Sequence, residues 1–98
     1  MLEERPILDN EFLRQFECTY QEQMVVVEYA LQEKKIFLTK LILPTVAPKD
    51  DWITDLIADL LDLIEERRLR VVPTCSELKV LFKKNKSFQR MLPVGIRL

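Results

Sequence analysis

Two short segments hold the residues best placed to do chemistry. "VVPTC" ends at Cys75, immediately ahead of a stretch with helical spacing. A thiol at a helix N-terminus is positioned to act as a nucleophile or an acid. The competing reading of Cys75 is a small apolar residue that closes a strand. The second segment, "LPTVAPKDDWITDL" at residues 43–56, runs from an apolar stretch into an amphipathic one. Strand-to-helix turns of this kind bind phosphate, because free N–H groups and the helix dipole favour anions. A phosphate cradle wants glycine, so that backbone can close on the ligand. This turn has no glycine and opens its helix with Asp50 and Asp51. Those carboxylates can accept hydrogen bonds from the same N–H groups, a cap worth about 1 kcal/mol together with the dipole. They also repel a diphosphate.

Other chemistries are closed to the chain. It has no histidine, which removes Ser–His and Cys–His pairs, His-ligated zinc and the commonest general base. Its one glycine is Gly95, so glycine-rich phosphate loops are excluded. Cys18 and Cys75 lack metal-type spacing and read as reduced thiols, with Cys18 a mid-strand packing residue.

Net charge is −1 but locally polarised. Residues 50–66 carry acids and no base, whereas residues 67–90 carry bases and the single acid Glu77. Asp55, Asp59, Asp62 and Glu66 form a helix stripe that reads as a solvated face; a metal site would need ligands converging from a loop. The basic run around "KKNK" lacks interleaved aromatics, so a solvated helix face is expected and nucleic acid is not. No apolar run reaches the ~20 residues of a membrane span. The acidic start "MLEERPILDNEF" lacks a signal core, and a cytoplasmic protein is expected.

The elements that must position these residues follow from periodicity. The 98 residues suit one domain, with residues 1–11 a loose lead-in and 93–98 a tail. Phe12 to Tyr20 alternates as a first strand, with Phe16, Cys18 and Tyr20 on one side. "MVVVEYALQ" and "KIFLTKLIL" are two further strand-like runs, and the short connectors "QEQ" and "QEKK" imply a meander. From Trp52 the period becomes helical: Ile53, Leu56, Ile57, Leu60, Leu61 and Ile64 share one face, with Arg67 and Arg68 in the last turn. "LRVVP" predicts a short buried strand. "TCSE" predicts a capping box from Thr74 to Glu77 for a second helix with Leu78, Leu81 and Phe82 inward, and "SFQRML" adds another turn. Tyr29 and Phe37 are expected in the core or as a cross-strand pair. Trp52 is either an exposed anchor for a partner or a filler over the sheet's end. The order is β-β-β-α-β-α, an α/β (α+β) mixed sheet with helices packed on it.

"FECTYQEQMVVVEYALQEKKIFLTK", a Pro-bounded loop, the amphipathic helix, "LRVVPTC" and a closing helix ending in "KSFQRML" resemble the minimal single-domain GNAT-type N-acetyltransferases. The resemblance spans residues 16–92 without a gap, and "VVPTC" is its most specific piece. It implies a GNAT-like sheet, acetyl-CoA as cofactor, an amine acceptor and Cys75 as the catalytic residue. It assigns Lys49, Asp50, Asp51, Trp52, Ile53 and Thr54 to the loop that holds the cofactor's pyrophosphate. The family's glycines and favourable charge are replaced there. Lys40 stands where members carry a histidine after the strand's Thr39, and Asn85-Lys86 replaces a His-Pro pair, although Phe88 is retained. The resemblance therefore implies a degenerate member whose loop does not bind CoA in the usual way. The alternative is a non-catalytic protein-interaction module on the same fold, with an unknown protein partner, as a monomer or weak dimer.

Overall fold

The computed structural model describes residues 6–96. They form β1 (Leu8–Asn10), β2 (Gln15–Tyr20), β3 (Gln23–Gln32), β4 (Lys35–Ile42), α1 (Asp50–Glu66), β5 (Arg70–Pro73), α2 (Ser76–Lys84) and α3 (Lys86–Gln89). The strands make one sheet in the order β1-β2-β3-β4-β5. Neighbours are antiparallel except β4 and β5, which run parallel. A parallel pair needs a crossover, and α1 supplies it. The architecture is a mixed α+β fold.

Alternation along the strands decides which face is covered. Phe16 and Cys18 on β2, Val27 and Tyr29 on β3, Ile36 and Leu38 on β4, and Val71 on β5 are buried together on one face. The buried stripe of α1, from Ile53 to Ile64, lies on that face, as do Leu78 and Phe82 of α2 and Phe88 of α3. Phe82 and Phe88 meet edge to face with ring centroids 5.6 Å apart.

Several expectations need correction. The lead-in is not loose throughout: Leu8–Asn10 pairs with Glu17–Gln15, and residues 1–5 lie outside the described residues, as do 97 and 98 of the tail. The strand expected from Phe12 starts only at Gln15, because residues 11–14 form the turn that brings β1 back. Phe12 is 93% exposed. Tyr29 is in the core as expected, but Phe37 is neither in the core cluster nor its cross-strand partner: Tyr29 stands opposite Leu38 and Ala30 opposite Phe37, which puts them on opposite faces. Tyr29 instead packs against Phe16 with the rings tilted 35° and centroids 4.7 Å apart. The helix opens with Asp50 and Asp51 as expected, but Arg67 is its C-cap rather than part of the last turn. The capping box does not form. The N-cap of α2 is Cys75, without a side-chain cap, and the Thr74 hydroxyl donates to the Leu38 carbonyl at 3.2 Å. Thr74 thereby ties the β5–α2 corner to β4, where its own N–H also reaches Leu38 O at 2.9 Å.

At the far end of α1 a polar clasp adds to the apolar packing of Phe16, Tyr29 and Ile64. Both oxygens of Asp9 are engaged: Oδ1 accepts from the Tyr29 hydroxyl and Oδ2 from Arg67, each at 2.6 Å. Arg67 also lies over the Phe16 ring, 5.8 Å from its centroid. Burial, followed by the Asp9 hydrogen bond, pushes the Tyr29 pKa up to about 12.

Candidate functional site

The parallel pairing of β4 with β5 ends at Leu38 and Pro73, while β4 continues to Ile42. Just beyond, the β3–β4 register shifts so that Thr39 is an extra residue between Leu38 and Lys40, and its hydroxyl donates to Glu28 O at 3.2 Å. A bulge bends its strand. Past it β4 has lost its β5 neighbour, and a cleft of about 370 Å³ opens between Leu41 and Leu43, the start of α1 and one side of α2 from Glu77 to Lys84.

Apolar walls come from Leu41, Leu43, Ile53, Val80 and Leu81, and the charged groups are Asp50, Glu77 and Lys84. The remaining polar side chains largely serve the fold. Thr54 Oγ1 donates to Asp50 O at 2.9 Å, and Asn85 Nδ2 donates to Leu81 O at 2.8 Å. The cleft thus suits an apolar group, with two carboxylates and one ammonium around it.

The six residues assigned to a cofactor loop do not act as a loop. They fall at the start of α1, whose first turn is closed by Ile53 N–H on Lys49 O at 3.1 Å. At 3.6 residues per turn, neighbours in a helix point in different directions. Asp50, Ile53 and Thr54 line the cleft, whereas Lys49, Asp51 and Trp52 border a shallow groove with Tyr20, Gln21 and Asp55. Trp52 is half-buried and meets Tyr20 edge to face at 4.8 Å, so it fills space over the sheet's end. The expected carboxylate cap is also absent: the N-cap is Lys49, and it makes no side-chain cap bond. Asp50 and Asp51 instead act through the dipole from the first turn.

Cys75 is half-buried against the main core cluster and does not line the cleft. Lys40, in the family's histidine position, lies opposite Glu28 on the face away from the helices. Asn85, in place of the family's other histidine, does reach the cleft. Sequence reasoning missed Leu41, Leu43, Val80 and Lys84. The apolar run that continues past Thr39 was a signal for Leu41 and Leu43; Val80 and Lys84, on α2, had none.

Among the described residues no group of three or more His, Cys, Asp or Glu is arranged to hold a metal ion. None of their helices is long and apolar enough to cross a membrane. The basic segment folds back on the acidic helix: Arg90 reaches Glu65 at 2.9 Å and Asp62 at 4.0 Å. Compared with known proteins, the sequence matches no family model and no curated protein.

Proposed function

We propose that this chain is a GNAT-like, N-acetyltransferase-like protein that has lost acetyl transfer and works by binding. The strand order with α1 as crossover, and a cleft where β4 and β5 part, fit the resemblance over residues 16–92. One observation carries the loss of catalysis. The residues that would wrap a pyrophosphate are divided by the first turn of α1 between two surfaces, and the half facing the cleft puts Asp50 on the same cleft lining as Glu77. A diphosphate there meets like charge from both walls. Cys75, without a histidine to take its proton, sits half-buried against the core and does not line the cleft.

The cleft still suits an apolar or weakly cationic group, which is the ligand class this reading leaves. The test is thiol release from acetyl-CoA over a panel of primary amines, with wild-type protein and Cys75→Ala. No protein-dependent release is expected from either. Turnover by the wild type that Cys75→Ala abolishes would overturn the reading. Alkylation gives a second readout: Cys75 should react roughly tenfold or more slower in native protein than in denaturant, as burial in the fold requires.

A further inference from the structure

The sheet face opposite the helices is apolar in two rows. Leu8, Val26 and Ile42 lie in one cross-strand row, interrupted by Glu17. Ala30, Phe37 and Val72 make the other. Val26 is only 8% exposed, and Phe37 and Val72 are half-buried, yet none joins either core cluster. Leu8, Met24 and Ile42 stand 66%, 52% and 40% exposed. A strand as uniformly apolar as "MVVV" is built to be covered on both faces. Here the helices cover one.

We infer that the second layer is another copy of this chain, packed sheet to sheet about a two-fold axis parallel to the strands, between β3 and β4. Charge selects this occupant and this axis. Between the two apolar rows lies a polar one, with Glu28 on β3 opposite Lys40 on β4. The acids of the face, Glu17 and Glu28, are on β2 and β3; its bases, Lys35, Lys40 and Arg70, are on β4 and β5. Glu17 is partly satisfied by Asn10 and Gln15, and Arg70 by Arg90 O, and Lys35 stands in an outer row with Gln32 and Arg70, which leaves Glu28 and Lys40 as the central pair.

A two-fold along the strands keeps each row in place and exchanges left for right. Glu28 then faces the second copy's Lys40, Val26 its Ile42, and small Ala30 its large Phe37. A two-fold across the strands along the polar row would instead set Glu28 on Glu28 and Lys40 on Lys40, which repel. Aligned packing of two sheets is a common solution for such faces. From strand spacing and length the face offers on the order of 500 Å² per chain, the lower end of specific interfaces.

Sedimentation equilibrium of the full chain across a concentration series tests the assignment. The expected result is a monomer–dimer equilibrium with Kd on the order of 10–100 µM, as a small interface allows. Lys40→Glu should weaken it at least about tenfold, and Glu28→Lys combined with Lys40→Glu should restore it to within about threefold, because reversing both partners recreates the pairing. Ile42→Ser, at a half-exposed position, gives a second variant should charge reversal disturb folding. Isotope-filtered NOEs between the methyls of Val26 and Ile42 on different chains report the geometry. A monomer up to ~1 mM, a tenfold excess over the weaker expected Kd, would overturn the inference and leave the face to a different protein. A dimer indifferent to these substitutions, or without those NOEs, would overturn it equally.

Discussion

Arg67 at the end of α1 meets Asp9 of β1 at 2.6 Å, joining residues that are far apart in sequence across the edge of the sheet. β1 has only three residues, too few to hold by backbone pairing alone. The clasp supplies what the strand lacks. Asp9 is nearly buried, its side chain 11% exposed, while that of Arg67 is 40% exposed.

The two partners should therefore differ in importance. Asp9→Ala leaves the buried Tyr29 hydroxyl without its acceptor and should cost about 1–3 kcal/mol. Arg67→Ala removes a partly screened pair and should cost about 0.5–1 kcal/mol. Urea unfolding of both variants and the double variant gives the coupling. Equal costs would mean that Tyr29 does not depend on Asp9.

The Tyr29 pKa, raised from 10.0 to about 12, predicts an alkaline limit to stability. The folded protein holds the phenolic proton more tightly than the unfolded chain. Its stabilisation is complete below about pH 10 and is lost as pH rises toward 12. Melts across this range should show a fall in Tm that Tyr29→Phe reduces. An unchanged profile in that variant would assign the fall to other groups.

The β2–β3 turn carries strain that a substitution can relieve. Gln21 and Glu22 both take left-handed backbone, with φ of 49° and 67°, the requirement of a tight turn matched to strand twist. Neither residue favours it. Glu22→Gly should stabilise the protein by about 0.5–1 kcal/mol, because glycine adopts positive φ without a Cβ clash. Thermal unfolding at neutral pH measures it, and a lowered Tm would show that Glu22 makes contacts worth more than the strain.

Elements whose signal is local were legible in the sequence. The apolar stripe of α1 and the alternation of Phe16, Cys18 and Tyr20 followed from period alone, because each side chain's direction is fixed by its own segment. Features set by remote partners were not. Leu8–Asn10 looks like loop because its pairing depends on a turn at residues 11–14 with Arg14 left-handed at φ 57°. Thr74 looks like a cap, but the Leu38 carbonyl from another strand claims its hydroxyl. The cleft was half legible. Asp50, Ile53 and Thr54 were named, while its other wall belongs to α2, whose approach to α1 no local pattern announces.

We propose that the start of α1 does not hold a pyrophosphate. The most direct measurement is an isotope-edited NMR titration of the full chain with acetyl-CoA and with CoA, read at residues 48–56 and around Cys75. The account predicts no saturable shifts there up to millimolar ligand, and modest gains when Asp50→Asn and Asp51→Asn remove the repelling charge. Saturable shifts in the wild type, clustered at residues 49–54, would contradict it and return the chain to the acetyl-CoA-binding proteins it resembles.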